Sequence, residues 1–338
     1  MTAFEDTERL DVLSQQFNSF DFLRSTIYNL MPYKVREILL VSSLYDAFVI
    51  EEEGLISEMV ISEYRDLELS SPPRITRVSS GAKALEKIGQ RKYDIVITMS
   101  KNIGMDPFVF GKKIRAVSKN IPVFLLATES SDLKKLESRM GDEGIDQVFF
   151  WSGDSNLFLA IVKYVEDKRN VSFDTKTANV RVIILIEDSV QYYSMFLPLL
   201  YTEIVHQTER SISEDLNEVQ RLLRRRARPK ILVARTFEEA TELYDAYKEN
   251  VLGIISDIGF PRNEKIDAEA GFHFVKNVRK EQGFLPILLQ SSHAENKEKA
   301  VELGVIFLNK QSPVLLHDIR RFLLDYLGFG DFIFYLPT

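Results

Sequence analysis

Short runs of apolar, β-prone residues recur along the chain. In the first half they are EILLVSS (37–43), RITRVSS (74–80), YDIVITM (93–99), IPVFLLAT (121–128) and DQVFFW (146–151). In the second they are RVIILIE (181–187), KILVART (230–236), VLGIISD (251–257), LPILLQS (285–291) and VIFLNK (305–310). Near-continuous apolar runs of this length fit strands buried on both faces. Between them lie stretches such as GAKALEKIGQ, FVFGKKIRAVS, DLKKLESRMGDEG, FEEATELYDAY and GFHFVKNVRKEQ. Their apolar residues return every three or four positions, as a helix with one buried face requires. A further helical stretch is predicted from the first strand to about Leu69, before SPP at 71–73. Strands alternating with helices predict a parallel sheet covered on both sides. Both halves read as (βα)5. PVFLLAT against PILLQSS, and GIDQVFF against GVIFLNK, align them as an internal duplication.

The pattern also divides the chain. Phe4, Leu10, Leu13, Phe17, Phe20, Leu23, Ile27 and Leu30 recur at helical spacing, and Pro32 ends the run. Residues 1–33 therefore read as an N-terminal amphipathic helix, 34–170 as a first domain and 181–328 as a second. The helix closing the first domain is predicted over 156–168. Polar DTKTANV marks a linker, placed at 171–180. Residues 329–338 read as an apolar tail leading toward a further, C-terminal domain. The helical segment 190–226 is longer than one layer of an α/β domain needs. Its stripe of Val205, Ile212, Leu216, Val219 and Leu223 suits packing on the first domain or homodimerisation. The plainer alternative is a surface helix with an ordinary amphipathic face. The basic run RLLRRRARPK (221–230) complements a helix C-terminus and acidic neighbours.

Composition narrows the classes. At 338 residues the chain suits two domains, with hydrophobic content of 45% and charged content of 28%. A net charge of −7 argues against a nucleic-acid-binding face. The absence of cysteine excludes disulfides and thiolate metal sites, and no two of the four histidines have metal-site spacing. The acidic, polar start MTAFEDTERL does not read as a signal peptide. No apolar run approaches the roughly 18 residues of a membrane span. The expectation is a cytoplasmic protein without a membrane partner.

The candidate chemistry lies just past four strand ends of the second half: IEDS (186–189), SDIGFP (256–261), LLQSS (288–292) and FLNK (307–310). The carboxyl ends of parallel strands share one edge, where ligands bind. Glu187, Asp188, Asp257, Ser291 and Lys310 are thus expected to converge. Three crowded carboxylates repel one another unless a cation sits among them, and Mg²⁺ suits oxygen ligands and phosphate. Taken singly, each residue has a plainer reading: Asp257 as a helix N-cap, Ser291 as a turn hydroxyl, Lys310 as a solvated lysine.

In these residues the second half, over roughly 180–327, resembles the receiver domain of two-component response regulators. The resemblance implies a flavodoxin-like doubly wound fold and a Mg²⁺-dependent phosphoryl transfer to Asp257. It implies metal binding by Glu187, Asp188, Asp257 and the Gly259 carbonyl. Ser291 and Lys310 would contact the phosphoryl group, and Phe307 would be the aromatic switch residue. Phe260–Pro261 match the pair that closes the turn. Two departures are visible: Lys310-Gln311-Ser312-Pro313 replaces the usual lysine–proline pair, and Ser292 and His293 follow Ser291. The first half places Ser42–Ser43 at the acidic pair, Met99 at the phosphoacceptor, Ala127 at the hydroxyl and Trp151 or Ser152 near the lysine. It reads as a pseudo-receiver that keeps the fold without the chemistry. Asp94 lies at the wrong end of its strand to substitute.

The expected function is two-component signalling by a regulatory phosphoacceptor rather than an enzyme. The implied partner is a sensor histidine kinase or phosphotransfer protein. The tail GFGDF (328–332) faintly resembles the junction into phosphoenolpyruvate/pyruvate-binding domains. An alternative is a phosphorylation-independent interaction scaffold. A phosphohydrolase is disfavoured, because Gly259 stands where such enzymes carry a second acid.

Overall fold

A computed structural model describes residues 30–42, 72–101, 103–139, 144–210, 221 and 225–328. The first sheet contains β1 (Glu37–Val41), β2 (Arg74–Val78), β3 (Ile95–Met99), β4 (Val123–Ala127) and β5 (Gln147–Phe150), all parallel, in the order β2-β1-β3-β4-β5. Its described helices are α1 (Gly81–Gln90), α2 (Pro107–Val117), α3 (Ser130–Glu137) and α4 (Asn156–Ala178).

The second sheet repeats this order among its own five strands. Its strands are β6 (Val182–Ile186), β7 (Lys230–Ala234), β8 (Val251–Asp257), β11 (Ile287–Ser291) and β12 (Ile306–Asn309). They are joined through α5 (Val190–Arg210), α6 (Phe237–Tyr247), α7 (Ala270–Glu281) and α8 (Asn296–Glu302), and α9 (Leu315–Tyr326) follows the last strand. Strand order 2-1-3-4-5 is the flavodoxin-like doubly wound arrangement. Its ligand crevice opens where the order reverses, between the first and third strands. In the second domain that point lies between β6 and β8, whose ends carry Glu187 and Asp257.

Local signals set the helix starts. Asp106 accepts bonds from the N–H groups of Phe108 and Val109, with Pro107 at the first helical position of α2. Thr236 caps α6 through Glu239 N–H, and the Glu239 carboxylate reaches back to Arg235 N–H. One feature beyond the alternating pattern is a hairpin, β9 (Phe260–Arg262) with β10 (Lys265–Asp267), inserted after β8. Asn263 and Glu264 turn it at positive φ.

The segment 171–180 departs from the predicted linker. Helix α4 runs unbroken from Asn156 to Ala178 and ends at Asn179 in the left-handed conformation. Of the polar residues that suggested a linker, Asp174 and Thr175 are buried, while Lys176 and Asn179 stay exposed. Glu166, Asn170 and Asp174 lie four residues apart on one face and accept the backbone N–H groups of Val35, Tyr33 and Met31. Asp167 accepts two bonds from the Arg228 guanidinium and one from Ile231 N–H. Lys230 pairs with Asp174 at 3.0 Å, both fully buried. Composition marked this stretch as solvated, whereas the tertiary structure pairs the buried charges Asp167 and Asp174 with Arg228 and Lys230.

One apolar core spans both sheets, and a second lies within the second half of the chain. The spanning core joins the first sheet to Phe158, Ile161 and Val162 of α4, to Tyr193, Phe196 and Leu200 of α5, and to Ile319 and Phe322 of α9. Helix α5 lies against α4, β5 and α3, so this much of the long predicted segment packs on the first domain. Val205 is buried in that core, while Ile212, Leu216, Val219 and Leu223 lie outside the described residues. Arg225 of the basic run binds Glu209. At the N-terminus, Leu30 and Met31 form a bend rather than a last helical turn. The rest of the predicted 4–31 helix, the stretch to Leu69 and the tail from residue 329 lie outside the described residues.

Candidate functional site

The second sheet brings the predicted residues together. Strand β8 ends on Asp257, whose register partner on β11 is Gln290. Ser291, the next residue of β11, pairs with Asn309 of β12, immediately before Lys310. On the other side of β8, β6 delivers Glu187 and Asp188 one and two residues past its end. Carboxylate oxygens of Glu187, Asp188 and Asp257 lie within 4.8 Å of one another. Lys310 Nζ lies 2.7 Å from Glu187 Oε2 and 2.7 Å from Asp257 Oδ2, and sits 4.3 Å above the Tyr192 ring.

Charge and burial oppose each other here. Glu187 is fully buried, and burial is the largest cause raising its pKa, followed by a partly cancelling contribution from Lys310 and repulsion by Asp257. Asp188 is pushed up to about 6, chiefly by burial and then by Asp257, with Glu137 of α3 adding to the repulsion. Burial works against the Lys310 ammonium, but Glu187 and Asp257 outweigh it and raise its pKa. One ammonium between two of three acids leaves negative charge to spare, which a divalent cation among the oxygens would neutralise. The donor set, three carboxylates and neighbouring backbone oxygens, fits hard Mg²⁺ rather than a softer metal.

The supporting contacts are specific. Asp257 Oδ1 accepts the N–H of Ile258 at 2.7 Å, while Lys310 holds Oδ2. Ser291 Oγ accepts from His293 N–H (3.1 Å) and Asn296 Nδ2 (3.0 Å), leaving its own hydrogen free to donate. The His293 side chain is exposed beside Glu295. Gly259 lies just past β8 with no left-handed φ, and a Cβ there would make an ordinary contact with Ala268 Cα at 3.7 Å. Phe307 is half-buried on β12 against the core of the second domain.

Three supporting residues escaped sequence reasoning. Gln290 is fully buried and donates through Nε2 to Glu187 Oε2 at 3.0 Å. Its signal was a lone amide inside the apolar run LPILLQS. Gly271, the second residue of α7, packs against the backbone of Asp257 and Ile258. A Cβ there would lie 2.5 Å from the Asp257 carbonyl oxygen and 2.8 Å from Ile258 Cα. Glu137 comes from the first domain, and nothing local in sequence pointed to it.

The equivalent edge of the first sheet carries different chemistry. Met99 and Ala127 end β3 and β4, both buried, and Ser42 accepts a bond from Arg77 Nε at 3.1 Å. Trp151 follows β5 and is buried. Ser43 lies outside the described residues. Among the described residues, Glu187, Asp188 and Asp257 form the one acidic group suited to a metal ion. Asp94 sits at the opposite edge, where its carboxylate accepts the N–H groups of Arg36 and Glu37. No described helix is long and apolar enough to cross a membrane.

No family model and no curated protein matches the chain. Solved structures similar to it include the chemotaxis response regulator CheY4 of Vibrio cholerae, at 21% identity over 39% of this chain and 99% of that one, with a TM-score of 0.30. Another is the receiver domain of a sensor histidine kinase from Pseudomonas aeruginosa, a structure with magnesium in its active-site cleft. Its identity is 18% over 39% of this chain and 98% of that one, with a TM-score of 0.30. A probable two-component response regulator/GGDEF domain protein aligns over 87% of this chain and 99% of its own, at 15% identity and a TM-score of 0.33.

Proposed function

We propose that this chain is a signalling protein of the two-component type whose second domain accepts a phosphoryl group on Asp257. One observation carries the reading: three carboxylates and a lysine, drawn from three strand ends, meet at the switch point of a doubly wound sheet. Glu187, Asp188, Asp257 and the Gly259 carbonyl would hold Mg²⁺. When bound, the ion would supply charge neutralisation to the phosphate oxygens.

This chain's own residues divide the remaining work. The Asp257 carboxylate is the nucleophile, with one oxygen held by Ile258 N–H and the other by Lys310. The P–O bond to the donor breaks as the Asp257 O–P bond forms, and the donor leaves with the bonding electrons. Lys310 then turns from the carboxylate to a phosphoryl oxygen. The free Ser291 hydrogen donates to another, and Phe307 follows the movement of Ser291 inward. The donor class is a sensor histidine kinase or phosphotransfer protein. The first domain, a pseudo-receiver on this reading, serves packing and partner binding, and catalytic output would come from elsewhere.

The test is Mg²⁺-dependent labelling by acetyl phosphate. Wild-type chain should be labelled once, and Asp257→Asn not at all. Equal labelling of both would overturn the reading. Absence of labelling and of beryllofluoride binding in the wild type would favour a phosphorylation-independent scaffold.

A further inference from the structure

Helix α5 begins two residues after Asp188, and its start is bound by the other domain. Val190, the first residue of α5, donates its backbone N–H to Glu137 Oε1 at 3.1 Å. Glu137 is the last residue of α3 in the first domain. A carboxylate at a helix C-terminus is disfavoured by its own helix dipole. Here it faces the N-terminus of a different helix, where a negative acceptor is favoured and the first N–H groups lack intrahelical partners.

The contact is one of a set. Ser194 Oγ accepts the N–H of Phe150 at 2.9 Å, and the Tyr193 hydroxyl donates to the Val148 carbonyl. The first turn of α5 is therefore clamped to α3 and β5 at positions 190, 193 and 194. The loop before it is tight as well, since Ser189 N–H donates to Glu187 Oε1 at 3.2 Å. Four consecutive residues thus connect two of the three carboxylates to the first domain.

The geometry points to Glu137 as a positioning residue that the first domain contributes to the metal site of the second. By accepting the Val190 N–H, it fixes the first turn of α5 and with it the loop carrying Glu187 and Asp188. The inference rests on the metal-binding reading above. It adds that metal affinity in the second domain depends on how the first is docked. By linkage, metal binding strengthens that docking by the same factor.

Isothermal titration of MgCl₂ into the full chain tests it. The wild type is expected to bind, and Glu137→Ala to bind about fivefold more weakly, through loss of a charge-assisted bond. Glu137→Gln keeps an acceptor oxygen and should stay within about twofold of wild type. Metal-free melting of the variants should stay close to wild type, which separates positioning from unfolding. Val190→Pro removes the donor instead, at a first-turn position that tolerates proline. It should mimic Glu137→Ala, and the double variant should show no further loss. Wild-type affinity in both Glu137→Ala and Val190→Pro would overturn the inference, as would equal weakening by Ala and Gln. Failure of the wild type to bind Mg²⁺ would instead remove the underlying reading.

Discussion

Lys310 places its ammonium 2.7 Å from a carboxylate oxygen of Asp257 and equally close to Glu187, which is fully buried. It holds two like charges together in a place with little water. Removing one partner of a buried ion pair leaves the other uncompensated.

Lys310→Met should therefore destabilise the metal-free chain by roughly 3 kcal/mol. Added Mg²⁺ should recover part of that loss, because the cation takes over charge compensation. Urea unfolding followed by circular dichroism, with EDTA or with MgCl₂, gives both values. Destabilisation that Mg²⁺ leaves unchanged would count against the ion sharing this site.

The pH dependence of stability follows from the same acids. Glu187 and Asp188 have folded pKa values above those of an unfolded chain, Asp188 at about 6. Between about pH 4 and the folded values, the folded metal-free chain binds more protons than the unfolded one. These groups thus contribute stability at low pH that is lost as pH rises through about 6 and beyond. Mg²⁺ selects the deprotonated carboxylates, so its affinity should rise over the same interval. Melting temperatures at several pH values between about 5 and 8, with EDTA and with MgCl₂, check both slopes. A metal-free Tm that climbs steadily across that interval would refute the first.

Gly271 lets α7 touch the loop that carries Asp257. Gly271→Ala would force a methyl group against the Asp257 carbonyl oxygen and Ile258, both backbone neighbours that cannot rotate away. A loss of about 1–3 kcal/mol is expected, with weaker Mg²⁺ binding as the loop shifts. Gly283→Ala, where no atom lies within 4 Å of the added methyl, is the matched control and should change little.

The domain junction depends on Asp167 and Arg228, both nearly fully buried and bonded through two oxygens. Asp167→Ala strands the guanidinium and the Ile231 N–H, and should cost roughly 3–5 kcal/mol. Replacing both residues, Asp167→Leu with Arg228→Met, should cost clearly less than the single change. Thermal unfolding of the three chains distinguishes a buried charge penalty from loss of packing.

Much of this molecule was legible in one dimension. Most strands declared themselves because residues buried on both faces must be apolar whatever surrounds them, while β2, with Arg74 and Arg77 exposed, and half-buried β12 are edge strands. The site residues were readable because each stands at a strand end, and in a parallel sheet all such ends share one edge. The hairpin β9–β10 and the glycine at 271 were not readable, since each reflects how closely two backbones approach. Gln290 is intermediate: its type was visible, its partner Glu187 was not.

The sequence by itself determined the repeated α/β layers and which polar side chains stand at each strand end, because both follow from local burial and residue type. Only the tertiary structure decided what the polar residues of α4 and the end of α3 do. Asp174 meets Met31 across 143 positions, and Glu137 meets Val190 across 53. A carboxylate suits solvent and a buried partner equally well on composition alone. Which one it finds is set by the packing of elements distant in the chain.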